Sequence, residues 1–235
     1  GRGAAWIGEA WTLFKANPGM WILAMLVFVG VQMVLNFVPL IGGIAVMLIG
    51  PILMVGILAF ADGIARGEGA DLGLLFIGFR EKTGSLVAVA AIYFVLFLGL
   101  MVVLGVVAFI LMGGAAALSA MNPDQFVSHL LGGAGAMGLL ILLLVFFALL
   151  ILLLAAYWFA PGLVFYAGLS AGDAMKESFF TCLRNWLPFL VFGVLSFLVL
   201  FGGLLLVFIG VLLVSAPILM ATYYTSFRDI FGRKA

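Results

Sequence analysis

Four stretches of this chain, 19–61, 85–121, 134–172 and 187–227, contain no Asp, Glu, Lys or Arg. About 20 apolar residues in helical form cross a bilayer core of about 30 Å. In lipid a segment must satisfy its backbone N–H and C=O groups internally, which leaves helices or a closed barrel. The four runs are continuously apolar rather than alternating, so they predict helices. Composition agrees, with 67% hydrophobic and 8% charged residues and a mean hydropathy of +1.42, where soluble domains carry about 25% charge. A surface this poor in charge has to face lipid.

The first run is too long for one helix, and "NFVPLIGG" breaks it with Asn36, Pro39 and the Gly42–Gly43 pair, giving helices near 20–37 and 40–62. The second and third runs predict one spanning helix each, long enough to tilt or protrude. Between them "NPDQFVSHLLGG" has Asn122 as N-cap, Pro123 at the first helical position and Gln125 at the capping-box position, which predicts a small helix outside the membrane. The last run has Gly202–Gly203 near its middle and reads as a hairpin of two helices. The segment before the first run is amphipathic and contains Glu9, unlike a cleavable export signal.

Six spans put all ten Lys and Arg residues on one side, together with every carboxylate except Asp124. The positive-inside rule then makes both termini cytoplasmic. A net charge of +1 with scattered basic residues excludes a nucleic-acid surface.

The tetrapeptide PILM occurs at Pro51–Met54 and again at Pro217–Met220, each time in a helix running out to charged residues. Upstream, "EAWTLFKANPGMW" from Glu9 aligns with "ESFFTCLRNWLPF" from Glu177, pairing Asn17 with Asn185. A weaker third copy joins "LLFIGFREKTG" to "WFAPGLVFYAGLSAG", with Pro161 in the corresponding place. The expected fold class is therefore all-α: a single polytopic membrane domain of six transmembrane helices in three parallel repeats, 1–67, 68–172 and 173–235. Each repeat is an amphipathic interfacial helix plus a helical hairpin. Pro51, Pro161 and Pro217 read as packing kinks or, functionally, as hinges.

Helical spacing assigns the apolar faces of the interfacial helices to Ile7, Ala10, Trp11 and Phe14 in the first and to Met175, Phe179, Cys182 and Trp186 in the last, with Thr181 on the polar side. The middle one uses Leu72, Leu75, Phe76 and Phe79. Trp11, Phe14, Phe179 and Trp186 are the expected interfacial anchors.

Chemistry is sparse. No span interior carries an ionisable acid, base or histidine, which disfavours a proton relay. His129 stands alone, and one cysteine, Cys182, forms no internal disulfide. Asp62, Glu68 and Asp71 surround Arg66 without calcium-loop spacing and read as solvated loop charge. Catalytic residues, metal ligands and cofactors are therefore not expected. Gln32, Tyr93, Tyr157 and Tyr223 are the polar span residues that a substrate or lipid path would use, their ordinary role being hydrogen bonds between helices.

The segments "WTLFKANPGMW", "GPILMVGIL", "LFIGFREK", "FAPGLVFYAG" and "PILMATYYTSFRDIF" resemble a family of uncharacterised six-helix inner-membrane proteins of proteobacteria. More distantly the chain is similar to the membrane domain attached to some glycerophosphodiester phosphodiesterases. The resemblance implies a bacterial inner membrane and an all-helical fold, and it transfers no activity. The expectation is a non-catalytic protein, an accessory or scaffold subunit or a lipid organiser, with membrane lipid and another membrane protein as partners. The alternative is a transporter or lipid-handling protein with a cavity open to the bilayer and proline-hinged helices.

Overall fold

The computed structural model describes residues 1–37, 41–111, 132–205 and 209–232. Every element among them is helical. Two compact units are formed, one by residues 1–91 and 156–235 and one by 92–155. The expected helix around Asn122 to His129 lies outside the described residues.

Helix α1 (Arg2–Ala16) buries Gly3, Trp6, Ala10 and Phe14. That face differs from the expected one: Trp11 is 41% exposed, while Trp6 is almost wholly enclosed. One residue, Asn17, separates α1 from α2 (Pro18–Asn36), and Pro18 occupies a first-turn position where its missing N–H costs no hydrogen bond. Helix α3 (Ile41–Ala65) runs unbroken through Pro51. The Gly42–Gly43 pair expected as a turn is part of α3, and Gly42 is needed for space, because a Cβ there would collide with the Leu35 carbonyl.

Asp71 caps the next element, its carboxylate accepting from the Gly73 N–H at 2.8 Å. The element itself corrects the expected middle amphipathic helix: it is a 3-10 turn (Leu72–Phe76) followed by α4 (Ile77–Arg80). Leu75 and Gly78 face α3, and Phe76 and Phe79 stay exposed. Gly73 and Gly78 weaken a regular helix here, and Gly78 lies so close to Ile52 that a Cβ would clash. Lys82 follows with φ 55°, and its ammonium donates to the Val164 and Phe165 carbonyls at 3.2 and 2.9 Å. Those bonds offset the strain of a left-handed non-glycine residue.

Helices α5 (Thr83–Leu111, 29 residues) and α6 (Gly133–Trp158, 26 residues) are the longest. The third apolar run then breaks at Phe159, and α7 (Ala160–Ala167) begins with Pro161 in its first turn. The Phe159 N–H leaves the helical ladder and donates to the buried Ser178 hydroxyl at 2.9 Å. Gly168, at φ 67°, closes α7 in the left-handed conformation that glycine adopts without steric cost.

Ser170 caps α8 (Ala171–Arg184) by accepting from the Asp173 N–H. Its buried face includes Ser178 and Thr181, so Thr181 points inward, contrary to the sequence expectation, with Phe179 only half-buried. Asn185 separates α8 from α9 (Trp186–Leu205), the place that Asn17 takes between α1 and α2. Helix α9 continues through Gly202–Gly203, so this pair is not the hairpin turn. A Cβ at Gly203 would meet the Ser215 hydroxyl and the Val211 backbone. A π turn (Val211–Ser215) precedes α10 (Ala216–Phe231). The Ser215 hydroxyl donates to the Val199 carbonyl at 2.7 Å, and Pro217 then falls in the first turn of α10. The three recurring prolines thus have three local settings: one inside a helix, one at a break and one after a π turn.

Candidate membrane-interface site

In the first unit α1 packs along α9 and α10. Trp6 sits at the centre, its ring edge-on to Phe189 at 5.3 Å. Its indole N–H donates to Asp229 at 2.8 Å, and its carbonyl accepts from the Thr225 hydroxyl at 2.8 Å. Arg2 bonds to Asp229 and to the Asn185 side chain, and Arg228 pairs with Glu9 at 2.7 Å. Asp62, near the end of α3, accepts from the Tyr224 hydroxyl at 2.8 Å and pairs with Arg66. The acidic cluster expected as loop charge is thus divided among structural roles. Among the described residues no group of three or more His, Cys, Asp or Glu is placed to hold a metal ion.

These contacts use Arg2, Arg66, Lys82 and Arg228. Lys176 lies 4.0 Å from Asp173. Lys15, Arg80 and Arg184 form no ion pair among the described residues, and each lies in the last turn of its helix, α1, α4 or α8. A cation there also complements the negative end of the helix dipole. Lys15 lies over the Trp11 ring at 5.7 Å. Phe79 is next to Arg80, and Phe180 and Trp186 flank Arg184; all three rings are exposed, Trp186 at 63%.

Of the expected anchors, Trp11 and Trp186 are exposed, Phe179 is half-buried beside the exposed Phe180, and Phe14 is buried within the protein. Burial pushes the Cys182 thiol up to about 12, partly opposed by a hydrogen bond from Ser178. Trp6 escaped the sequence reading, although its spacing to Ala10 and Phe14 places it on their face.

The polar residues of the spans are only partly gathered. Tyr157 and Tyr223 lie within electrostatic reach of one another, and the Tyr157 hydroxyl approaches Gly50. Tyr223 packs edge-on to Trp158 at 5.7 Å, and its buried hydroxyl has no hydrogen-bond partner among the described residues. Gln32 is half-buried on α2, where its carbonyl accepts from the Asn36 side chain. Tyr93 stacks on Phe97 in the second unit at 6.3 Å. That unit also holds an apolar groove of about 430 Å³ lined by Met101, Leu104, Ala108, Leu139, Leu143 and Phe146 among others.

Among the described residues five helices, Pro18–Asn36, Gly42–Ala65, Thr83–Ile110, Ala136–Ala167 and Trp186–Leu205, are long and apolar enough to cross a membrane. With charge confined to their ends, they define a polytopic helical integral membrane protein. Residues 37–146 match the model of a family described as "Predicted integral membrane protein (DUF2189)". A probable inner membrane protein of Burkholderia thailandensis is 24% identical to this chain, over 98% of this chain and 91% of its own. No solved structure matches.

Proposed function

We propose that this chain is a non-enzymatic protein of a bacterial inner membrane that organises lipid at its cytoplasmic face. The reading takes the chain as six spans in three repeated units, 1–67, 68–172 and 173–235, with both termini cytoplasmic. Residues 209–231, the sixth span, extend about 34 Å at the helical rise, enough for a bilayer core. The membrane follows that of the Burkholderia relative. The likeness to the membrane domain of some glycerophosphodiester phosphodiesterases enters as shared architecture alone.

One observation carries the proposal. The inward faces of the interfacial helices are filled by this chain's own residues, among them Trp6, Ala10, Phe14, Leu75, Met175 and Thr181, while aromatic rings and unpaired cations remain outside. Such outward faces suit headgroups. Native mass spectrometry after gentle extraction should find the protein with a defined lipid and without a stoichiometric protein partner. A stoichiometric partner would instead make it an accessory or scaffold subunit. A C-terminal green fluorescent protein fusion should fluoresce, and a C-terminal alkaline phosphatase fusion should be inactive. The opposite pair of results would overturn the topology.

A further inference from the structure

We propose that Lys15, Arg80 and Arg184 each bind the phosphodiester headgroup of an anionic phospholipid. The inference rests on the lipid-organising reading and on its topology, which puts the three residues in one leaflet. Each cation ends an interfacial helix just before the chain enters the membrane: α1 stops at Ala16 and α2 starts at Pro18, α4 stops at Arg80 and α5 starts at Thr83, and α8 stops at Arg184 and α9 starts at Trp186.

Equivalent placement distinguishes these residues from the cations that hold the fold. Arg2, Arg66 and Arg228 are in carboxylate pairs, and Lys82 is committed to backbone carbonyls. Lys15, Arg80 and Arg184 keep their charge available. Exposed Trp11, Phe79 and Trp186 lie beside them, and such rings favour headgroup depth. A long basic side chain there rests its stem on apolar surface and holds its charge among the phosphates. An acidic peptide arriving from water would have to displace lipid from the same rings. Charge complementarity and depth together select the anionic phospholipid.

The test uses the full chain reconstituted into vesicles of phosphatidylcholine alone or of equal parts phosphatidylcholine and phosphatidylglycerol, with retained lipids counted by native mass spectrometry. The wild type should retain phosphatidylglycerol in preference to phosphatidylcholine. Each of Lys15→Gln, Arg80→Gln and Arg184→Gln should lower that preference roughly fivefold, the effect expected for one basic residue near an anionic surface. The combined variant should lose it. Lys15→Arg, Arg80→Lys and Arg184→Lys together should keep it, which separates loss of charge from misfolding. Preference surviving in the combined Gln variant, an equal loss in Lys176→Gln, or displacement of the lipid by free glycerol phosphate would each overturn the proposal. A stoichiometric protein partner in native membranes, found alongside charge-dependent retention in vesicles, would remove the lipid-organising reading and leave the three headgroup sites standing.

Discussion

Cys182 is 8% exposed, on a helix whose other face is open. Burial raises its pKa from 9.0 to about 12, so at neutral pH it is almost wholly the unreactive thiol. The protein in detergent should take up a maleimide slowly at neutral pH and completely after SDS; fast labelling without SDS would place the thiol outside. Because the folded pKa is the higher one, the thiol's contribution to stability is complete below about 9 and is lost as pH climbs towards about 12. Gly56 makes a steric demand instead. A Cβ there would run into the Leu75 backbone, so Gly56→Ala should destabilise by about 1–3 kcal/mol, seen as a lower melting temperature. Gly30→Ala, with open space around it, should not. At this scale the sequence was only partly legible. The apolar spacing of α1 fits two overlapping stripes, one through Trp11 and one through Trp6, and what decides between them is the Asp229 carboxylate, 223 residues away.

Helix α8 supports the break before α7 through Ser178. The N–H of Phe159 has left its helix and is buried, so removing the hydroxyl orphans a donor. Ser178→Ala should cost about 1–3 kcal/mol, measured by thermal unfolding. An unchanged melting temperature would mean that Phe159 finds another acceptor. Positions of the long helices were readable because an uncharged apolar run has few alternatives in lipid. Interruptions were harder to place. Gly202–Gly203 looks like a turn, yet Gly203 serves the close approach of α9 to Ser215. The middle interfacial segment reads as a helix by its apolar spacing, but its glycines and the nearness of α3 tighten it into a 3-10 turn. Thr181 reads as a polar-face residue, and nothing local announces the Phe159 N–H that Ser178 must meet.

For the molecule as a whole, the contact of α1 with α10 joins segments more than 200 residues apart. Trp6 anchors it through burial and the indole hydrogen bond to Asp229, so Trp6→Ala should cost about 3–5 kcal/mol. The half-exposed Glu9–Arg228 pair is worth about 0–1 kcal/mol, and Glu9→Gln should scarcely move the melting temperature. A large drop for Glu9→Gln with a small one for Trp6→Ala would reverse this assignment. The recurrence of PILM and of the Asn17 and Asn185 segments was legible as a pattern, whereas the pairing of the first helix with the last was not, since no local spacing encodes it. That pairing also orders events at the ribosome. The face of α1 carrying Trp6 and Phe14 is made first, but Thr225, which bonds to Trp6, is made roughly 10–40 s later at ordinary translation rates. Until then Trp6 lacks the residues of α10 that cover it, so the two ends of the chain close on each other only after everything between them has been made.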